Sequence, residues 1–129
     1  MNLGIAYRRL GLRTKAEAVN RRGLAMAEED LLNPLDGYVR SFVAYFDAAL
    51  GDRRHAEPEI QQALRLSARS ETRWNAVLTY ETLGLREKTL DLLSTSTPEQ
   101  LADMNHWPDL TDLHKDSRFL QFLTAHQIR

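Results

Sequence analysis

The sequence predicts an all-α chain built as a stack of about three helix-turn-helix units, and three observations carry that expectation. Leu10-Gly11-Leu12-Arg13-Thr14-Lys15-Ala16, Leu50-Gly51-Asp52-Arg53-Arg54-His55-Ala56 and Leu83-Gly84-Leu85-Arg86-Glu87-Lys88-Thr89 share one grammar: leucine, glycine, a basic residue two places on and another two beyond. Apolar residues at helical spacing precede and follow each copy, so each glycine reads as the turn between two antiparallel helices. The copies lie about 40 and about 33 residues apart, the period of helical-pair repeats.

Leu3, Ala6, Tyr7 and Leu10 form one stripe of a first helix that Gly11 stops. Thr14 and Glu17 have capping-box spacing for a longer second helix carrying Ala16, Val19, Leu24, Ala27 and Leu31. Asn33 as cap, Pro34 at the first helical position and Asp36 in the first turn predict a third helix reaching Leu50. Its residues Tyr38, Phe42, Tyr45 and Phe46, interleaved with Val39, Val43 and Ala44, make both faces apolar and predict a central position. Pro58 predicts a fourth helix that starts near it or kinks there, with Ile60, Ala63 and Leu64 buried. Ser70 is the expected cap of a fifth helix holding Trp74, Val77 and Leu78, and Leu90 and Leu93 continue into a short sixth. Thr97-Pro98-Glu99-Gln100 predicts a brief helix to about Met104. An irregular run with Leu110 and Leu113 buried leads to a terminal helix capped by Asp116 and carrying Phe119, Leu120, Phe122 and Leu123. The expected division is a single domain, 1–129, with repeats at about 1–33, 34–69 and 70–97 and a tail at 98–129.

Composition limits the function classes. The 129 residues suffice for one core without disulfides or metals. A formal net charge of −1 gives no overall pull toward nucleic acid or membrane. Locally, residues 1–25 hold Arg8, Arg9, Arg13, Lys15, Arg21 and Arg22 against Glu17 alone. The absence of cysteine removes thiol chemistry and thiolate metal sites and makes the cytoplasm the expected compartment. The arginine pair and amphipathic stretch after Gly4 are not what a secretory signal is expected to show, and no stretch approaches the roughly 18 apolar residues of a membrane span.

These residues resemble tetratricopeptide repeats, a family of helix pairs that stack into a right-handed superhelix and bind other proteins. Asn2-Leu3-Gly4, Tyr7, Gly11 and Ala16 match the family's pattern in the first unit. Val43, Ala44, Gly51, Ala56, Ile60, Ala63 and Leu64 match it in the second, with Asp47 in place of the tyrosine. Tyr80, Leu83 and Gly84 match it in the third, with Thr89 and Ser96 in place of alanines. The resemblance covers roughly residues 2–97. Pro108 to Phe119 is similar to the closing segment of repeat regions attached to kinases, cyclases and transcription regulators, with Ser117 where that pattern has proline. The first unit begins four or five residues into its expected first helix, which suggests the C-terminal fragment of a longer array or a short form of one, with an exposed N-terminal face open to homodimerisation.

The resemblance implies a concave groove lined by the first helix of each pair, with Ile5 and Arg9, Tyr38, Phe42 and Tyr45, then Trp74, Asn75 and Leu78 as the partner-binding positions. A protein or peptide partner is expected, with no catalytic residue and no cofactor. Phe42 and Glu71 occupy positions where the family's carboxylate clamp needs other residues, which argues against a chaperone-tail adaptor. The alternative is an anionic-ligand or nucleic-acid surface on the N-terminal arginines, disfavoured because no aromatic platform accompanies them. Asp109, Asp112, His114 and Asp116 are the closest approach to a metal set, and alternation with Leu110 and Leu113 explains them as solvent-facing. His55 and His106 have no nucleophile or carboxylate at a catalytic spacing.

Overall fold

The computed structural model describes residues 2–107 and 110–128, and every regular element among them is helical. In order these are α1 (Asn2–Arg9), α2 (Arg13–Asp30), α3 (Gly37–Ala49), α4 (Arg53–Leu66), α5 (Ser70–Leu83), α6 (Arg86–Ser94), α7 (Pro98–Asn105), α8 (Thr111–His114) and α9 (Ser117–Ala125). None is long and apolar enough to cross a membrane.

The three Leu-Gly turns close in one way. Gly11, Gly51 and Gly84 have φ of 75°, 81° and 73°, left-handed values that cost a residue with a Cβ. Beyond each, the next amide reaches back to the preceding helix: Leu12 to the Tyr7 carbonyl at 2.9 Å, Asp52 to Asp47 at 2.8 Å and Leu85 to Tyr80 at 2.8 Å. Each glycine amide closes the inner bond of the same Schellman turn. The side chain at the accepting position is free to vary, because the turn uses only its carbonyl. Asp47 can therefore stand where the other two units have tyrosine.

Packing builds outward from α3, which contacts α2, α4 and α5. Tyr45 and Ala44 of α3, Ile60 and Ala63 of α4 and Ala76 and Val77 of α5 are essentially inaccessible. Close approach is specified by small residues: a Cβ on Gly37 would lie 2.6 Å from the Ala63 carbonyl, so the start of α3 fits against the end of α4 only as glycine. Asn75 adds a polar tie, donating from Nδ2 to Ser41 Oγ at 2.9 Å, while that hydroxyl donates to the Tyr38 carbonyl.

Four local expectations are corrected. The second helix is not opened by a Thr14 capping box. Leu12, with φ −91° and ψ 70°, is its cap residue and makes no side-chain bond; its carbonyl accepts from the Ala16 amide, so Arg13 is already the first helical residue, one place before Thr14. Asn33 and Pro34 do not begin the third helix. Asn33 Oδ1 accepts from the Leu35 amide in a separate turn, and Asp36 caps the helix by accepting from Val39. The fourth helix does not start at Pro58: Asp52 caps it through the His55 amide and the helix runs on past the proline. Pro58 and Arg54 are both exposed, so the carbonyl that loses its partner faces water. Ser70 is the first residue of α5 rather than its cap, and its hydroxyl accepts from Gln100 Nε2 at 3.1 Å.

The capping box at Thr97 and Gln100 forms in both directions, and Asp116 caps α9 by accepting from Arg118. Leu110 and Leu113 are buried as expected, although part of their run is the short helix α8.

Candidate functional site

The C-terminal ends of α1 and α5 and the middle of α3 border a cavity of about 530 Å³ that the segment around Leu110 completes. Its floor takes one apolar side chain from each first helix, Ile5, Tyr45 and Leu78, together with Leu110. All four are nearly inaccessible to solvent. The rim is charged in both signs: Arg8 and Arg9 stand on the α1 side, and Glu81, Arg86 and Asp112 on the other.

The charges near α6 are fixed by one another. Arg86 bonds Glu81 at 2.6 Å and Asp116 at 2.9 Å, and Thr89 donates to Glu81 at 2.8 Å. Arg118 joins through Asp116 and Glu87. Glu81 and Asp116 raise the already high proton affinity of Arg86, while Arg118 and Arg86 hold the Asp116 carboxyl well below the usual carboxylate range. A carboxylate so engaged is an anchor rather than a base. On the opposite side of α3, burial pushes Asp47 up to about 6, assisted by the charges of Asp52, Glu28 and Glu59 and opposed by His55.

The helix-start arginines of the Leu-Gly grammar gain a role the sequence did not suggest. A cation at a helix N-terminus opposes that helix's dipole, but Arg53 at the start of α4 donates to the Leu83 carbonyl at the end of α5. Arg86, at the start of α6, reaches forward to Asp116 at the start of α9. Both ties run from one unit to the next, and the signal for them was the recurrence of a basic residue two places after each glycine.

The eight positions expected to line one groove are divided among several environments. Ile5, Arg9, Tyr45 and Leu78 border the cavity. Tyr38 and Phe42 pack edge to face at 5.1 Å beside a separate hollow between α2 and α3, with the Arg69 guanidinium 3.9 Å above the Tyr38 ring. Trp74 lies against Trp107 of the tail at 5.7 Å, with its buried indole nitrogen unbonded. Asn75 is committed to Ser41. A single aromatic trough is therefore not what these side chains form, because the tail covers one end and Tyr38 and Phe42 turn toward α2.

Among the basic residues, Arg21 pairs with Glu17 at 2.6 Å and Lys15 sits 5.8 Å from the Tyr7 ring centre. Of the acidic tail positions, Asp109 lies outside the described residues, Asp116 is held by arginines, and His114 Nε2 is 3.2 Å from the Met104 carbonyl. No group of three or more metal-ligating side chains converges among the described residues. His55 Nδ1 is 2.7 Å from Asp52 at the start of α4, and its side chain is exposed. Comparisons with protein-family models, curated proteins and solved structures find no match.

Proposed function

We propose that the chain is a non-catalytic interaction module of tetratricopeptide type, part of a larger regulatory protein, whose concave cavity receives a peptide segment of a protein partner. The observation that carries this reading is the cavity itself, with one apolar floor residue from each of α1, α3 and α5 and a rim of both charge signs. An apolar floor supplies affinity by releasing water, and flanking charges of opposite sign orient a peptide. Glu81 and Asp116 are occupied by Arg86, which supports binding rather than acid–base chemistry at this place.

Thr82 is half-buried on the rim and tests the reading without touching the core. A pull-down with wild-type protein is expected to retain a discrete partner that Thr82→Arg loses, while the two proteins show the same helical circular dichroism and melting temperature. Equal recovery by both would sink the proposal. Recovery of nucleic acid, lost on Arg8→Glu, would favour the anionic-ligand alternative.

A further inference from the structure

Five charged side chains line the concave cavity among the described residues, and they are not equally open to a ligand. Glu81 and Arg86 meet at 2.6 Å, Thr89 donates to the same carboxylate at 2.8 Å, and Arg86 makes a second ion pair with Asp116 at 2.9 Å. Opposite charges in contact largely cancel at greater distance, so the Glu81–Arg86 pair offers a ligand little net field. The remaining three are divided by side. Arg8 and Arg9 stand at the carboxyl end of α1 with no acidic residue from that helix in the lining. Across the floor, Asp112 is exposed on the segment that follows Leu110. Neither Arg8 nor Asp112 forms an ion pair among the described residues. The walls come from α1, α3, α5, the start of α6 and the Leu110 segment, so the cavity is enclosed by elements of this chain and lies at the end of α1 away from residue 2.

We propose that the peptide segment received here is amphoteric, with one apolar anchor over Ile5, Tyr45, Leu78 and Leu110, a carboxylate side chain toward Arg8 and Arg9, and a lysine or arginine toward Asp112. The inference rests on the cavity binding a peptide and adds which peptides it admits. A segment acidic on both sides of its anchor meets Asp112 with a like charge, and one basic on both sides meets Arg8 and Arg9 in the same way. Selection therefore works by repulsion as much as by attraction. An extended chain advances about 3.3 Å per residue, so charged residues two places either side of an anchor stand about 13 Å apart with the anchor between them. Exposed rim charges act through water, so each contributes modestly and salt weakens both.

The test uses three fluorescein-labelled peptides with a central leucine in a glycine–serine background. Two places to either side they carry one glutamate and one lysine, two glutamates, or two lysines. The mixed probe meets both rims in one of its two directions, so chain polarity does not enter. Fluorescence anisotropy with the whole chain at low salt is expected to show it binding roughly threefold to tenfold more tightly than either other probe, with the margin shrinking as salt is added. Asp112→Lys should make the two-glutamate probe the best ligand, and Arg8→Glu/Arg9→Glu should do the same for the two-lysine probe. All three positions are exposed, and matching circular dichroism melts would verify that the variants fold. Equal affinity for the three probes, or an order indifferent to these variants, overturns the inference. If those equal affinities are all lost on Thr82→Arg, the cavity still binds peptide and only the charge selection fails. If Thr82→Arg changes none of them, the cavity reading falls as well. Failure of all three to bind up to about 1 mM also overturns the inference, and the pull-down then decides the cavity reading by itself.

Discussion

At the C-terminal end of the stack, α9 buries Phe119 and Leu123 against the preceding helices, and its capping Asp116 is gripped by Arg86 and Arg118. At the N-terminal end, α1 leaves Leu3 and Leu10 facing solvent, and α2 ends in three carboxylates with no counter-ion in the same turn. Both ends are helical and both begin from similar apolar spacing. The C-terminal end ties its carboxylate and arginines into one network and leaves Leu120 as its exposed large apolar side chain. The N-terminal end exposes more apolar surface and holds its charges only in local contacts, such as Arg21 with Glu17, and the α2–α3 hollow lies on that side.

The sharpest way to break this contrast is to delete matched apolar side chains. Phe119→Ala empties a fully buried site and should cost about 3–5 kcal/mol in chemical denaturation. A loss below about 1 kcal/mol would mean that the terminal helix does not belong to the cooperative core. Next in size are the turns: Gly84→Ala forces a Cβ into a left-handed conformation and should cost about 1–2 kcal/mol. Gly11→Ala carries the same local strain, but its effect should appear chiefly as faster amide exchange in α1. Equal effects on global unfolding would show that α1 is as firmly coupled as α5.

Titration separates the central helix from the C-terminal end by sign. The raised Asp47 means that the native state holds this proton more tightly than the unfolded chain, whose carboxyl keeps its ordinary value of 3.8. Its penalty is absent below about pH 4, grows up to about pH 6 and is complete above. Asp47→Asn should therefore stabilise the protein at pH 7 by about 1 kcal/mol, allowing for solvent screening of a half-exposed group, and give no gain at pH 3.5. Asp116 has the opposite sign. Its lowered value gives stability that is fully present above the ordinary carboxylate value and is lost as pH falls through the native one, so the advantage of wild type over Asp116→Asn should shrink only below about pH 4. Smallest of all, Leu10→Ala at a 72% exposed site should change stability by less than about 0.5 kcal/mol.

The hairpins and their glycines were legible because a left-handed turn leaves a residue-type signature, and the Thr97 box and Asp116 cap because their partners lie within a few residues. Thr14, Asn33 and Pro58 misled for one reason. Each satisfies a local rule that a neighbour satisfies first: Leu12 takes the cap position ahead of Thr14, Asp36 caps instead of Asn33, and Asp52 starts α4 ahead of the proline. The site was read less well. Ile5, Tyr45 and Leu78 meet at one cavity with Arg9 at its rim, but the sequence does not reveal that Trp107 covers Trp74 or that Asn75 is used up by Ser41. Those contacts join residues more than thirty positions apart, where no periodicity reports.

The forward reach of Arg53 and Arg86 has a mechanical consequence. Each tie links the start of one second helix to a later element, so tension applied between residues 2 and 128 is shared along the chain from α4 onward. Among the described residues, no such side-chain tie runs from Arg13 of the first hairpin to a later helix. Pulled in an optical trap, the molecule should open α1 and α2 at the lowest force as a separate extension step, and the remainder should yield later in a larger one.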